Sequence, residues 1–444
     1  MARPVVLVTA PVATRSGYGA HARDIVRSLI KIDKYDVKIM PVRWGATPQN
    51  ALTMGDLNDQ PIIDRLLKDP NLPKQPEIHI HIVVPNEFQP FAKYNIGITA
   101  GIETTACVAE WLEGMNRMNL NIVPSKFTKE VLEKTTYDKK NDQSGQIIGR
   151  LKCEKPIEVL FEGADSNIYK KTDRFSELLV EEFKNIKESF VFLFVGHWLQ
   201  GELGQDRKDV GMLIKTFLET FKNQKKQPAL LLKTSGATPS IMDRDDLYKK
   251  IEMVKKTVNG KLPSVYLIHG DLTDEQMNEL YNHPKVKAHV SFTKGEGFGR
   301  PLLESTISEK PVIVSDWSGH KDFLSKDLAV LLPGQLTKVH PSAIPDNMRV
   351  EGSQWFTVNY SYASKMLKDI YKNYKNYTLK AKKLALVNKS KFSLDAMTKE
   401  LEKILDKYIP EFPEEVKLKL PKLKKVGDKT TLPKIKLPKV KKMQ

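Results

Sequence analysis

The sequence has little cysteine and no long apolar run. Cys107 and Cys153 are the only cysteines in 444 residues, and no metal-ligand spacing surrounds them, so a disulfide framework and a zinc site have no support. No apolar stretch approaches the ~18 residues of a membrane-spanning helix. The opening segment MARPVVLVTA indicates a buried strand better than a signal peptide, because Pro11 interrupts its apolar run. We therefore expect a cytoplasmic protein.

The positive charge is unevenly distributed. Of the formal net charge of +17, residues 416–444 carry +10, from eleven lysines and Asp428, which leaves +7 for the rest of the chain. Leu-Pro-Lys occurs three times in this segment, at 420–422, 432–434 and 437–439. Proline and lysine at this density disfavour a packed core, so we predict a flexible basic tail.

The body of the chain alternates short apolar runs with amphipathic stretches, and it does so twice. FVFLFVG at 190–196 and ALLLK at 229–233 are typical of the second series. This alternation predicts parallel sheets covered by helices, an α/β fold of two doubly wound, Rossmann-like domains. We assign the predicted regions in order: a first domain over 1–175, a second over 176–390, a C-terminal helix over 391–415 that packs back on the first domain, and the tail over 416–444.

The segment KGEGFGRPLLE follows the strand VKAHVSF and points to a ligand site. Pro301 suits the first position of a helix, so the helix should begin at the Gly299-Arg300-Pro301 junction. Free backbone N–H groups at such a terminus bind anions, and Gly297 and Gly299 allow a diphosphate to approach closely. Glu296 and Glu304 bracket this terminus, as acceptors for sugar and ribose hydroxyls. A single first-turn glutamate usually only complements the helix dipole. The combination of glycines, a proline and two acids favours a ligand-binding site instead.

Glu296 to Glu304 resembles the E-x7-E motif of the large retaining glycosyltransferase family that includes glycogen-synthase-like and mannosyl-transferring enzymes. The resemblance implies a GT-B fold, in which the two Rossmann-like domains face each other across a cleft. It also implies a nucleoside-diphosphate sugar as donor, with a UDP-sugar favoured, and retention of configuration with no other cofactor. We expect no metal, because no acidic D-x-D motif occurs in a convincing site. Glu296 would lie near the transferred sugar as a catalytic residue, Glu304 would bind ribose, and Phe298 and Gly299 would offer backbone donors.

Further donor-site positions follow from the same resemblance. FVGHWLQGELGQDRKDVGMLIKTF is similar to the segment that places a basic pair on the diphosphate, although Gly196-His197 replaces the usual Gly-Arg and the loop is longer. The alternative for Arg207 and Lys208 is a solvated surface pair. The alternative for Lys233 is a strand-end lysine that only extends to solvent. The predicted donor-site residues outside the E-x7-E segment are Gly17, Gly19, Arg207, Lys208, Lys233, Asp271 and Leu272.

The acceptor side is less defined. Three segments resemble the acceptor-side loops of the family and place Glu103, Ser125 and Asp165 there. Glu103 is a second candidate catalytic residue, although a glutamate followed by Thr-Thr also fits a helix start. Trp198, in the lengthened loop, is a candidate for stacking on a sugar or base, whereas we expect the other tryptophans to lie in cores.

The acceptor itself carries no motif. Eleven lysines in a tail attract polyanions, and similar long transferases occur in large tailed phages, where some modify DNA bases. We therefore predict that the tail binds DNA and that the acceptor is a hydroxylated or hydroxymethylated cytosine, reached in the host cytoplasm if the gene is phage-encoded. The alternatives are a saccharide, lipid or protein acceptor, a glycosidase, a nucleotide-sugar epimerase, and a non-catalytic nucleic-acid-binding protein on a transferase fold.

Overall fold

Two six-stranded parallel sheets organise the chain. The computed structural model describes residues 3–69, 72–141, 144–236, 238–344 and 350–413, so the predicted tail at 416–444 lies outside the described residues. Met1–Ile409 form one compact unit that contains both sheets. The predicted α/β architecture of two doubly wound halves is confirmed.

The first sheet has the strand order β2-β1-β3-β4-β5-β8. The elements of the first half, in chain order, are β1 (Val5–Ala10), α1 (Gly17–Ile32), β2 (Asp36–Pro41), α2 (Gln60–Ile63), β3 (Ile78–Ile82), β4 (Tyr94–Ile98), α3 (Ala109–Arg117), β5 (Leu120–Val123), α4 (Lys126–Lys134), β6 (Tyr137–Lys140), β7 (Ile147–Leu151) and β8 (Ile157–Val159). All neighbouring strands of this sheet run parallel, because a helix or a longer crossover segment separates them in sequence.

The second sheet has the strand order β11-β10-β9-β12-β13-β14 and is also parallel. The elements of the second half are α5 (Glu177–Lys184), β9 (Val191–Val195), α6 (Val210–Phe221), β10 (Ala229–Lys233), α7 (Ile241–Lys256), β11 (Val265–Ile268), α8 (Asp274–Asn282), β12 (Val286–Ser291), α9 (Arg300–Ile307), β13 (Val312–Ser315), β14 (Val330–Leu332), β15 (Gly334–Lys338), β16 (Gln354–Val358), α10 (Tyr360–Lys372), α11 (Tyr374–Lys391) and α12 (Leu394–Tyr408). The predicted domain boundary after residue 175 stays a prediction; it falls between β8 and α5.

Helix starts follow the capping residues in the sequence. Thr273 and Gln276 form a reciprocal capping box at the start of α8. Gly299 is the N-cap of α9 with φ of 99°, and Pro301 occupies its first turn, which confirms the predicted junction. Ser16 accepts the N–H of Gly19 at 2.9 Å and so starts α1.

Two hairpins and one helix were not predicted. The polar stretch 138–155 contains most of the antiparallel hairpin β6–β7. The hairpin β15–β16 was also missed. Helix α11 has lysines around most of its surface, so its sequence shows no clear apolar face; it forms because Ala381, Leu384 and Ala385 are buried, and α11 packs against α9.

The C-terminal helix α12 packs against α1 in the first half of the chain. Ser28 and Thr398 share a buried hydrogen bond of 2.9 Å, and Lys31 pairs with Asp395 at 2.6 Å. No helix in the described ranges is long and apolar enough to cross a membrane.

The second sheet is buried on both faces. Phe192 and Phe194 of β9 belong to one apolar cluster, and Val191 and Leu193 belong to the cluster on the other side. This alternation follows from the two-residue period of a strand. Phe217 of α6 packs on the first cluster and is 0% exposed.

Replacing Phe217 with alanine should lower the free energy of unfolding by roughly 3–5 kcal/mol, because the aromatic ring leaves a cavity in this core. Urea-induced unfolding followed by circular dichroism measures the change. Met242→Ala is the control, since Met242 is 80% exposed and its loss should change stability by less than about 0.5 kcal/mol. Equal effects of the two substitutions would contradict the packing described.

Candidate functional site

A cavity of about 610 Å³ lies between the carboxyl ends of the strands of the two sheets. Ligands of open parallel sheets bind at this edge, because the strand-end loops meet there. Its wall contains these segments and residues: Arg15–Tyr18, Trp44–Thr47, Ala100, Glu103, Glu162, Val195–His197, Arg207, Lys208, Lys233–Gly236, Asp271, Leu272 and Glu296–Pro301.

Two helix N-termini line this cavity. At the start of α9, the backbone N–H groups of Gly297, Phe298, Gly299 and Arg300 have no acceptor among the described residues. At the start of α1, the N–H groups of Gly17 and Tyr18 are likewise without an acceptor there. Unpaired amides at two positive helix ends make this cavity suited to an anion.

The predicted glycines have different roles. A Cβ at Gly17 would meet no atom within 4 Å, so this residue leaves the α1 terminus open to a ligand. Gly19 does not line the cavity; a Cβ there would lie 2.2 Å from the carbonyl oxygen of Thr14, so glycine is required by the turn. Gly297 is needed for domain contact, because its Cβ would lie 2.0 Å from the carbonyl oxygen of Ala100.

Arg207 and Lys208 form a charge cluster with two carboxylates. Lys208 Nζ donates to the carboxylate of Glu296, and Arg207 Nη1 lies 3.4 Å from Glu296 Oε2 and 3.5 Å from Glu103 Oε1. Lys208 is only 8% exposed, so the alternative of a solvated surface pair is wrong. Both cations line the cavity beside the α9 terminus.

This cluster fixes the protonation of its carboxylates. Burial alone would raise the pKa of Glu296, but the charges of Lys208 and Arg207 outweigh it and lower that pKa to about 2. Burial within the cavity raises the pKa of Glu103, although Arg207 opposes the shift. Glu296 is therefore a fixed negative charge at neutral pH, and Glu103 is the more easily protonated of the two.

Lys233 reaches the cavity from the end of β10. Its Nζ donates to the carbonyl oxygen of Gly270 at 2.8 Å, and burial lowers its pKa while Asp271 opposes the shift. Asp271 and Leu272 follow Gly270 in the cavity wall. The structure thus brings the three predicted strand-end residues of the second sheet together in the cavity wall.

Arg300 connects the α9 terminus to the first half of the chain. Its Nη1 donates to the carboxylate of Asp24 in α1, and its Nε donates to Glu304 Oε1 at 2.7 Å. Tyr281 Oη donates to the second carboxylate oxygen of Glu304 at 3.3 Å. Burial raises the pKa of Glu304 to about 7, against the opposing charge of Arg300. Arg300 bridges the two halves of the chain at this edge.

Glu304 is placed differently from the expectation. It does not line the cavity and is 5% exposed, and each of its oxygens accepts from a protein group. Arg300 occupies the cavity wall in its place. The guanidinium of Arg300 lies one helical turn before the carboxylate of Glu304 and pairs with it. The ribose-binding role of Glu304 stays a prediction.

The acceptor-side residues are not all in one place. Glu103 lines the cavity. Ser125 is buried as the N-cap of α4 and donates to the carbonyl oxygen of Gly297 at 2.5 Å, so it joins the two halves. Asp165 lies outside the cavity wall and accepts the N–H of Asn167 at 2.8 Å in a turn.

Trp198 lies in the core and not in the cavity wall, contrary to the prediction. Its side chain is 5% exposed and belongs to the apolar core of the second half, with Lys250 Nζ 5.4 Å from the ring centre. The neighbouring His197 and Leu199 line the cavity, but Trp198 does not. An indole ring gains more from this apolar core than from the open loop, so the predicted stacking role is wrong.

Two aromatic residues and a carboxyl group are among the cavity residues that were not predicted. Tyr18 and Trp44 stack with ring centres 4.0 Å apart, and both line the cavity. Glu162 is a buried carboxyl in the same wall. The stacked pair leaves no signal in the sequence because β2 and its loop bring Trp44 to Tyr18 only after folding.

Glu162→Gln should change how stability depends on pH. Burial raises the pKa of Glu162 to about 8, although Arg300 opposes the shift. A glutamate of the unfolded chain has a pKa of about 4.3, so the folded state binds more protons between about pH 5 and 8, and Glu162 costs stability as pH rises through this range.

The measurement is the difference in unfolding free energy between Glu162→Gln and the unmodified chain at several pH values. The variant should gain stability relative to the unmodified chain from about pH 5 to pH 8. Glu113→Gln is the control at an exposed glutamate of α3. If the difference for Glu162→Gln were constant over this range, the raised pKa would be contradicted.

Comparison with known proteins identifies the type of domain. Residues 181–333 match the family model of glycosyl transferases group 1. No curated protein sequence matches the chain. The structure is similar to HepE of Anabaena in complex with UDP-glucose, with a TM-score of 0.60 and 12% identity over 91% of this chain and 100% of that one.

Two further solved structures have the same overall fold. Sucrose-phosphate synthase from Thermosynechococcus elongatus gives a TM-score of 0.59 at 11% identity, over 91% of this chain and 99% of that one. A glycosyltransferase from Rickettsia africae gives 0.56 at 12% identity, over 92% and 99%. The chain therefore has the GT-B fold of two Rossmann-like domains, and its residues 181–333 form a domain of the group 1 glycosyl transferase type.

Proposed function

We propose that this protein is a retaining glycosyltransferase that moves a sugar from a nucleoside-diphosphate sugar to an acceptor hydroxyl. The observation that carries the proposal is the α9 N-terminus, where four unpaired backbone N–H groups lie beside Arg207 and Lys208. The match of residues 181–333 to the group 1 model supports it. A UDP-sugar is the favoured donor, since HepE, a protein of the same fold, was solved with UDP-glucose.

The diphosphate is the group that the cavity suits best. When the bond between the anomeric carbon and the diphosphate oxygen breaks, negative charge develops on the leaving group. The α9 amides, Arg207, Lys208 and Lys233 supply fixed donors and positive charge for it without reorganisation. The new bond forms between the anomeric carbon and the acceptor oxygen, and the acceptor proton leaves to a base.

Two of the cavity carboxylates, Glu296 and Glu103, then have separate roles. Glu296 is held ionised by Lys208 and Arg207, so it stabilises positive charge on the sugar ring and cannot serve as an acid at neutral pH. Glu103 lies across Arg207 from Glu296 and belongs to the first half of the chain. In this proposal Glu103 faces the acceptor and takes its proton. In the same proposal, Arg300, which pairs with Glu304, contacts the ribose.

Removing either cation should slow transfer. Lys208→Met or Arg207→Met should lower kcat by roughly 10²–10³-fold, because charge on the leaving diphosphate loses a preorganised partner. Release of nucleoside diphosphate from a panel of UDP-, GDP- and ADP-sugars measures the rate.

Lys225→Met is the matched control, an exposed lysine in the loop between α6 and β10, and it should leave the rate unchanged. Thermal unfolding checks that each variant folds. If the unmodified chain neither binds nor cleaves any donor of the panel, the transferase proposal is wrong.

For the acceptor we propose a hydroxylated cytosine in DNA. The lysines at 416–444 support this proposal through their attraction for phosphates. The stacked Tyr18 and Trp44 in the cavity wall add an aromatic surface on which a base extruded from the duplex can stack. A saccharide acceptor would stack on the same two rings. The acceptor must therefore be established by identifying the glycosylated product.

Deletion of residues 416–444 should weaken binding to duplex DNA and flatten its dependence on salt, because fewer counterions are released. Fluorescence anisotropy at two salt concentrations measures both. Mass spectrometry of hydroxymethylated DNA incubated with the donor panel should show an added hexose or pentose. If the DNA stays unmodified while a saccharide in a parallel control reaction is glycosylated, the DNA acceptor is excluded. The proposed glycosyl transfer would still stand.

A further inference from the structure

The basic charge of the described chain is concentrated on two consecutive helices. Residues 360–391, which form α10 and α11, contain nine lysines and a single acid, Asp369, for a charge of +8. With +10 in residues 416–444, the remaining residues sum to −1 out of the total of +17. Apart from the tail, the excess positive charge of the protein therefore comes from these two helices.

None of these nine lysines is neutralised within the part of the chain that the structure describes. No carboxylate there lies within 4 Å of any of their amino groups, although lysines elsewhere on the surface are paired, such as Lys31 with Asp395 and Lys407 with Glu158. Asp369 instead accepts from Tyr377 and Asn373. The charge of α10 and α11 is thus available to a partner.

Large apolar side chains lie among the lysines of α11. Leu379 is 64% exposed, Leu386 is 70% exposed and Val387 is 39% exposed. Leu379 and Leu386 are seven residues apart and so share one face of the helix, and Lys382 and Lys383 lie between them. Exposed apolar residues grouped on one face mark an interaction surface.

The opposite face of α11 is already used. Ala381, Leu384 and Ala385 are buried, and Asn388 Nδ2 donates to Thr306 Oγ1 of α9 at 2.9 Å. The exposed leucines therefore contribute nothing to this packing. We call the outer face of α11, formed by Lys375, Leu379, Lys382, Lys383, Leu386 and Val387, the basic-apolar face.

We propose that the basic-apolar face binds the surface of an anionic lipid bilayer. Lysines gain energy near anionic headgroups, and leucine and valine side chains gain energy at the boundary between headgroups and acyl chains. A nucleic acid would satisfy the lysines but offers no apolar phase for Leu379 and Leu386.

This inference concerns where the protein acts and does not depend on the proposed transfer reaction. Because α11 packs on α9, a bilayer bound at the basic-apolar face would lie one helix layer away from the helix that opens the cavity. Binding at this face would leave the α9 N-terminus and its amides unobstructed, since they face the cavity between the two sheets.

The test is co-sedimentation of the full chain with vesicles of phosphatidylcholine alone and with about one third phosphatidylglycerol. Binding should require the anionic lipid. Lys382→Glu with Lys383→Glu should weaken it by roughly tenfold or more, and Leu379→Ala with Leu386→Ala should do the same because apolar area no longer enters the boundary. Lys225→Glu with Lys226→Glu is the control with equal charge change at another exposed site, where repulsion from the lipid should be much weaker.

Thermal unfolding of each double variant establishes that it is folded, and a duplex DNA probe is titrated in parallel. Three results would overturn the proposal: no binding of the unmodified chain to anionic vesicles, vesicle binding that the leucine substitutions leave unchanged, or lysine substitutions that weaken only DNA binding. The last result would assign the face to nucleic acid.

Discussion

The close approach of two backbone segments is the constraint on which the site depends. The carbonyl oxygen of Glu103 lies so near Gly295, and that of Ala100 so near Gly297, that a Cβ on either glycine would be about 2 Å away. Ser125 then closes the contact with its hydrogen bond to Gly297. Because this junction joins the strand-end loops of both sheets, the α9 terminus is held opposite Glu103 and the cavity exists between them.

Charge balance holds the same junction together. Arg300 is paired on one side with Asp24 of α1 and on the other with Glu304 of its own helix, and Arg207 lies between Glu103 and Glu296. Buried charges of this kind are costly unless paired, so each arginine favours the arrangement in which the two halves face each other. An anionic ligand that binds these arginines would compete with the carboxylates that pair with them. Its binding would therefore also affect the contact between the two halves.

Local signals in the sequence were sufficient for the fold class and for the start of α9. The two series of apolar runs predicted both sheets, and Gly299 with Pro301 predicted the start of α9. What depends on packing between distant segments could not be predicted. Trp198 lies in a loop segment of the sequence, but its side chain is buried in the core with residues of α6 and α7. The many lysines of α11 obscure its helical pattern, and packing against α9 stabilises this helix. The ion pair of Arg300 with Glu304, by contrast, is a local feature, because residues four apart on one helix face each other.

In the proposed function, the α9 N-terminus, together with Arg207 and Lys208, binds the diphosphate of a nucleotide. The most direct measurement is a crystal structure of the chain with UDP. It should show diphosphate oxygens within about 3.2 Å of at least two backbone nitrogens of residues 297–300 and of a nitrogen of Arg207 or Lys208. A UDP bound elsewhere, or one whose diphosphate lies away from the start of α9, would contradict this account.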